Sequence, residues 1–574
     1  MRENRMSTLL AVGGLATTAM AQGPLSEPFP ATINLADLDG ALGFVMHGVA
    51  ASDQAGYAVG RAGDINGDGL PDVAVGAWLA DPNGSLQAGE TYVVFGRRDS
   101  SPHFPARLEL ASLDGAIGFR LPGFIGGGRS GFAVRSAGDI NNDRIDDLAI
   151  GAPTLEASGQ VYVVYGTRTG FAAQVPLDSL NGANGFRLDG DDASGRLGAA
   201  IGRSGDVDGD GLDDLLIGAP GDRDRGEAFV VYGRREAFPA VVDLDDVQGT
   251  LASSIVGDAI ASDNVGAGMA SIDFDGDGLD DLVVGAPTAE TGFRNGGATY
   301  VLYGKLDRFP ARESLSRILP RTRFRGAETA DRVGTAIDNA GDVNNDGIDD
   351  LIIGAPFSAG VQGRGRAYVV FGTADGLEPF GWNDLFDDTG EFGFRIEGVD
   401  TGDGCGTSVS AAGDVNGDGV DDLIVGAPSI GDVGKAYVVF GRADGTFPPV
   451  LRLRELDGQN GFRLLGIGNN DQTGISVAGV GDINGDGADD IAIGSPLTDP
   501  DGRTRAGMVS IVYGRALFPT CPADLDRDGE ATLFDYLAFL TAFEAGDLIA
   551  DFTGDGTLTL ADFLAFQNAF DMGC

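Results

Sequence analysis

A short pattern, Gly-Asp-hydrophobic-Asn-Gly-Asp-Gly or a close variant, recurs seven times in this chain, and no other feature limits the fold as strongly. Its first aspartates are Asp64, Asp139, Asp206, Asp273, Asp342, Asp414 and Asp482, between 67 and 75 residues apart. That period is too long for one hairpin and suits a unit of about four short strands with their loops. Within a unit the strand signals are plain. Asp214 is followed by Leu-Leu-Ile-Gly-Ala-Pro, and Gly226 opens Gly-Glu-Ala-Phe-Val-Val-Tyr-Gly, both rich in β-branched residues and bounded by Gly or Pro. A further segment, such as Leu180 to Leu188, precedes each loop and supplies the remaining strand, in degenerate form before repeats four and five. Seven such units predict an all-β, seven-bladed β-propeller of about four-stranded blades.

Each loop carries oxygen-bearing side chains at positions 1, 3, 5 and 9. The first four sets are Asp64, Asn66, Asp68, Asp72; Asp139, Asn141, Asp143, Asp147; Asp206, Asp208, Asp210, Asp214; and Asp273, Asp275, Asp277, Asp281. The remaining three are Asp342, Asn344, Asp346, Asp350; Asp414, Asn416, Asp418, Asp422; and Asp482, Asn484, Asp486, Asp490. Calcium takes six to eight oxygen ligands, and alternate residues of a tight loop can aim several oxygens at one centre. Gly at position 6 permits the sharp turn, and a position 7 carbonyl can complete the shell; Arg144 replaces that Gly in repeat two. Asx turns between strands would use the same residue types. Recurrence at a near-constant period, with four oxygens kept each time, favours calcium. So does the formal charge of −47, whose self-repulsion seven dications would reduce to −33. The acidic balance also excludes a nucleic-acid partner, because phosphate binding needs basic stripes.

The pairing of Asp-Xaa-Asn-Gly-Asp-Gly-Xaa-Asp-Asp with Leu-Ile-Val-Gly-Ala-Pro resembles the FG-GAP repeat of the integrin α-chain propeller, over residues 31–519. The resemblance places each calcium loop in the hairpin between the first two strands of a blade. The family's Phe-Gly pair is Cys405-Gly406 or Val333-Gly334 in two repeats, and Trp78 stands for the usual Pro in repeat one. A lone Gly43-Phe44 segment precedes the first loop, whereas the chain after the last loop stops at Ile511-Val-Tyr-Gly without one. The N-terminal segment is therefore expected to complete the last blade and close the ring.

Residues 520–574 carry a different duplication, two EF-hand-spaced loops each followed by an apolar helix. The first offers Asp524, Asp526, Asp528, Thr532 and Asp535, and the second Asp551, Thr553, Asp555, Thr559 and Asp562. Tyr536, Phe539, Leu540 and Phe543 share one helix face, Phe563, Phe566 and Phe570 another, and the two faces are expected to pack together. The segment resembles a GC-type dockerin, which implies two calcium sites and anchoring through a cohesin-like or cell-surface partner. Leu533-Phe534 and Leu560-Ala561 replace the polar recognition residues of cellulosomal dockerins. Cys521 and Cys574 bracket this segment and are expected to pair, leaving Cys405 as a buried small residue.

Arg2 and Arg5, the apolar stretch Leu9 to Ala16, and Ala19-Met20-Ala21 form a secretory signal over residues 1–21, and no run is long enough for a transmembrane segment. The chain thus reads as a secreted, calcium-binding, non-catalytic recognition or adhesion module, its propeller meeting an extracellular protein or glycan. The alternative is a carbohydrate-active enzyme or a subunit of a polysaccharide-degrading complex. His47 and His103, the two histidines, are read as loop residues rather than as a catalytic base.

Overall fold

The computed structural model describes the chain from residue 29 to residue 515 apart from short internal stretches, of which 377–389 is the longest, and the tail at 533–545, Phe552 and 559–572. The proposed signal, the Cys521 and Cys574 pair and His103 lie outside the described residues.

Seven sheets form, one for each repeat. In the first blade the strands Ala58–Gly63, Asp72–Ala77, Glu90–Val94 and Gly118–Pro122 pair antiparallel in that order. The segment before each loop unit is thus the outer strand of the preceding blade. The two segments that looked degenerate also form strands, Ala252–Val256 and Arg321–Arg325, in regular antiparallel register. Ring closure takes the expected form: Gly43–His47 pairs antiparallel with Met508–Val512 as the outer strand of the seventh blade.

Five sheets gain a fifth strand that the repeat pattern did not announce. Short pieces of the inter-blade connections, among them Thr32–Asn34 and Arg107–Glu109, lie parallel on the outer strands of their neighbours. An outer strand would otherwise present a row of unpaired N–H and C=O groups, and these pads cover it. Four pads follow a phenylalanine that stacks on the outer strand they cover: Phe104 on Phe44, Phe238 on Phe186, Phe447 on Phe394 and Phe29 on Phe462, with ring centroids between 4.2 and 4.4 Å apart. Phe171 stacks on Phe119 at 4.1 Å in the same way in the first blade, where the connection makes a single bridge from Gln174 to Arg120. Such offset stacking adds to the area that the rings bury.

The core lies between blades rather than within them. One apolar cluster joins Phe44, Met46 and Val509 of the seventh blade to Val73, Val75 and Tyr92 of the first, and similar clusters fill the other blade interfaces. Cys405 is fully buried in one of these clusters, as expected. On the axis, Arg135 of the second blade crosses to Asp338 of the fifth at 2.6 and 2.7 Å, and Ser410 of the sixth donates to the same carboxylate at 2.8 Å.

In the tail, helices Leu533–Ala545 and Leu560–Met572 pack through Phe539 and Phe566, stacked with centroids 4.0 Å apart. Tyr536, Leu540, Phe543, Phe563 and Phe570 pack around that pair, the residues that helical spacing had assigned to the two faces.

Candidate metal centres

All seven loops share one backbone course, and hydrogen bonds to the ligand residues define it. The position 1 aspartate accepts from the N–H of positions 5 and 6 at 2.7 to 3.0 Å, in Asp64, Asp139, Asp206, Asp273, Asp342, Asp414 and Asp482 alike. Position 5 accepts from the N–H of position 7 at 2.9 to 3.1 Å. These are Asx turns, and each carboxylate oxygen in them keeps a lone pair for a further partner. Position 6 is left-handed throughout. Arg144, which takes that place in repeat two, adopts φ 68° and still donates to Asp139 at 2.8 Å. The loop therefore forms without its glycine, at the cost of strain at one residue.

In loops three and four the structure gathers Asp206, Asp208, Asp210 and Asp273, Asp275, Asp277, with ligand atoms in each set all within 4.8 Å of one another. Position 9 has a further part. Asp72, Asp147, Asp214, Asp281, Asp350, Asp422 and Asp490 are at or near zero exposure. Each accepts the N–H of the glycine two residues past the third strand, at 2.7 to 3.0 Å, so it fastens the loop to the end of the sheet. Burial, with nearby loop carboxylates adding to it, pushes Asp72, Asp214 and Asp281 up to about 8 and Asp350 up to about 9. A bound dication would reverse that preference for the protonated form.

The donors are oxygens only, which suits a hard cation. Three are buried without a partner: Asn141 Oδ1 and Asp147 Oδ2 in loop two, and Asp275 Oδ1 in loop four. Leaving a buried acceptor unsatisfied costs roughly 1–3 kcal/mol, more when it is charged, and a cation would remove that cost. Among the tail ligands, Asp524, Asp526, Asp528, Thr532, Asp551, Thr553 and Asp555 lie outside the described residues, as does the side chain of Asp535. Asp562 accepts from Thr559 N–H at 2.7 Å and Thr559 Oγ1 at 3.1 Å, the arrangement of a capping box at the start of the second helix.

Three groups escaped the sequence reading. The aspartate at position 8 of one blade accepts the position 1 N–H of the blade before it: Asp146 from Asp64, Asp213 from Asp139, Asp280 from Asp206, Asp421 from Asp342 and Asp489 from Asp414, at 2.8 to 3.0 Å. These bonds latch neighbouring blades together. They also explain the glycine before position 1, because a Cβ at Gly63 would meet Asp146 at 2.3 Å. In blade four Ile272 replaces that glycine, and Asp349 is turned instead to the Asn339 amide at 2.7 Å. The repeated Asp-Asp and Gly-Asp pairs were the available signal. The second group is Asp53, Asp331, Asp403 and Asp471, which accept the N–H three residues back in the turns leading into four blades.

The third group corrects a sequence expectation. His47 is the last residue of a strand rather than a loop residue, because ring closure recruits its segment into the seventh blade. Its Nδ1 lies 3.6 Å from Glu109 and 3.8 Å from Asp501, carboxylates that Arg107 and Arg503 also hold.

Seven segments match the FG-GAP repeat: 55–94, 131–164, 200–232, 265–302, 333–370, 406–439 and 473–512. Among curated relatives, integrin alpha pat-2 of Caenorhabditis elegans is 34% identical over 251 residues, 41% of this chain and 18% of its own length. Integrin alpha-PS5 of Drosophila melanogaster is 34% identical over 197 residues, 34% of this chain and 17% of its own length. Phosphatidylinositol-glycan-specific phospholipase D of Bos taurus is 29% identical over 406 residues, 67% of this chain and 45% of its own length. The chain spans less than half the length of each of these relatives.

Proposed function

We propose that this FG-GAP propeller, similar to those of integrin α chains, is a secreted, calcium-loaded and non-catalytic recognition module held at a cell surface by its helical tail. The observation that carries the reading is the buried, partnerless oxygen of Asp275 among three converging carboxylates, in a loop course repeated around the ring. Calcium, when bound, supplies positive charge that lets the carboxylates stay ionised side by side. The chain's own residues do the rest: position 1 shapes the turn, position 9 ties it to the sheet, and position 8 ties one blade to the next.

The integrin relatives favour binding an extracellular ligand, protein or glycan, on the faces of the ring. No helix among the described residues is long and apolar enough to cross a membrane. Leu560 and Leu564 of the tail stand one helical turn apart, 69% and 50% exposed, which gives the tail an apolar contact of its own. The named relatives also include a phospholipase D, and its likeness favours a second reading as part of an enzyme. His47 Nδ1 is buried without a hydrogen-bond partner, 3.6 and 3.8 Å from the Glu109 and Asp501 carboxylates that arginines also hold.

The test compares the full chain with a chain ending at residue 519 on the surface of the producing cells, in calcium and in chelator, alongside turnover of polysaccharide and glycosyl-phosphatidylinositol substrates. Loss of retention without the tail, with no turnover, supports the proposal. Turnover abolished by changing a carboxylate outside the loops would overturn the non-catalytic reading, and retention without the tail would overturn the anchor.

A further inference from the structure

We propose that Arg308 is the built-in cation of the third loop, so that this loop, unlike the fourth, excludes calcium. The inference rests on the calcium reading of the other loops and concerns where that reading stops. Arg308 belongs to the connection that pads the third blade from outside, far in sequence from the loop it fills. Its Nε donates to Asp208 Oδ2 at 2.7 Å, and an Nη reaches Asp210 Oδ2 at 3.4 Å, so positions 3 and 5 both face the guanidinium. The other Nη donates to the Thr250 carbonyl, and the guanidinium lies over the Tyr232 ring at 4.5 Å. Asp208 is 4% exposed, so this charge is matched away from bulk water.

The arm that presents Arg308 is fixed in advance. Phe309 is buried, its N–H donates to the Tyr232 hydroxyl at 2.9 Å, and its carbonyl accepts from Ser253 Oγ at 2.7 Å. On the other side Leu306 lies against the loop, close to where a Cβ on Gly209 would stand. A planar guanidinium held by two carboxylates, a carbonyl and a ring loses little freedom per bond formed. Calcium could enter only by expelling it, because both ions need the same oxygens of Asp208 and Asp210. Phe171, Phe238 and Phe447 are preceded by Gly170, Ala237 and Thr446, which carry no charge, and Phe29 and Phe104 by Pro28 and His103, neither of them an arginine.

The experiment measures calcium bound per full-length chain by equilibrium dialysis, and melting temperature in calcium and in chelator, for the wild type, Arg308→Met, Asp206→Asn and Asp277→Asn. Arg308→Met is expected to bind one more calcium than the wild type, Asp206→Asn the same number, and Asp277→Asn one fewer. In chelator Arg308→Met should melt about 2 °C or more below the wild type, and calcium should restore the loss. An unchanged count in Arg308→Met, or one calcium lost in Asp206→Asn, would overturn the proposal. No calcium on the wild type would overturn the calcium reading itself. The chelator melts would still decide whether Arg308 is the counter-ion, since an Arg308→Met protein as stable as the wild type there rules that out.

Discussion

Loops three and four differ at a single position, Val207 against Phe274, over the nine residues from Asp206 to Asp214 and from Asp273 to Asp281, yet their charges are met in different ways. In the third, Arg308 bonds to Asp208 and Asp210. In the fourth, burial first and then the Asp277 and Asp273 carboxylates push Asp275 up, against a backbone hydrogen bond from Asp277, and Asp275 Oδ1 is buried without a partner. The lesson is that a ligand pattern fixes where oxygens can converge, while the cation that meets them depends on a neighbour the pattern does not contain.

The largest effect is expected from removing the frame that both loops share. Deleting residues 31–50 takes away the outer strand of blade seven and the Thr32–Asn34 pad of the sixth, and should leave aggregating protein with little soluble monomer by size-exclusion chromatography. A soluble truncation with an unchanged melting curve would disprove closure by this strand. Next comes chelation of the intact chain. A site held at a hundred times its Kd adds about 2.7 kcal/mol, so losing several should lower Tm by many degrees, and a Tm indifferent to chelator would remove calcium from both loops.

Smaller effects separate the two loops and the joints between blades. Asp277→Ala should cost about 1–3 kcal/mol in calcium and clearly less in chelator, whereas Asp206→Ala should cost a similar amount in both buffers, as followed by denaturant unfolding. Equal calcium dependence would erase the contrast. Gly138→Ala should cost about 1–3 kcal/mol, because φ is 63° and the new Cβ would meet Asp213 Cβ at 2.6 Å. The fourth blade already tolerates Ile272 at the equivalent place because its Asp349 points elsewhere. The smallest expected change is a gain: Arg144→Gly should stabilise by about 1 kcal/mol by relieving a left-handed arginine, and a loss instead would mean that its side chain contributes more than the strain costs.

By itself the sequence determined the number of blades, the place of each loop, the closing role of Gly43–His47 and the two helical faces of the tail. All of these follow from local patterns repeated at a fixed period: alternation makes a strand, Asp and Gly make the turn, and a missing segment at one end matches a spare one at the other. Tertiary structure alone decided which carboxylates serve which purpose. Position 9, read as a ligand like the other three, is also buried and accepts a glycine N–H just past a strand about twenty residues onward. Position 8, which the ligand pattern left without a role, latches the preceding blade. His47 looked like a loop residue until a strand more than 450 residues away paired with its segment. Arg308 carries no motif at all and acts only because its connection folds beneath another blade's loop. The physical reason is common to these cases. A hydrogen bond or an ion pair depends on distances of a few ångströms, and in a ring built from distant segments such distances exist only once the blades have closed against one another.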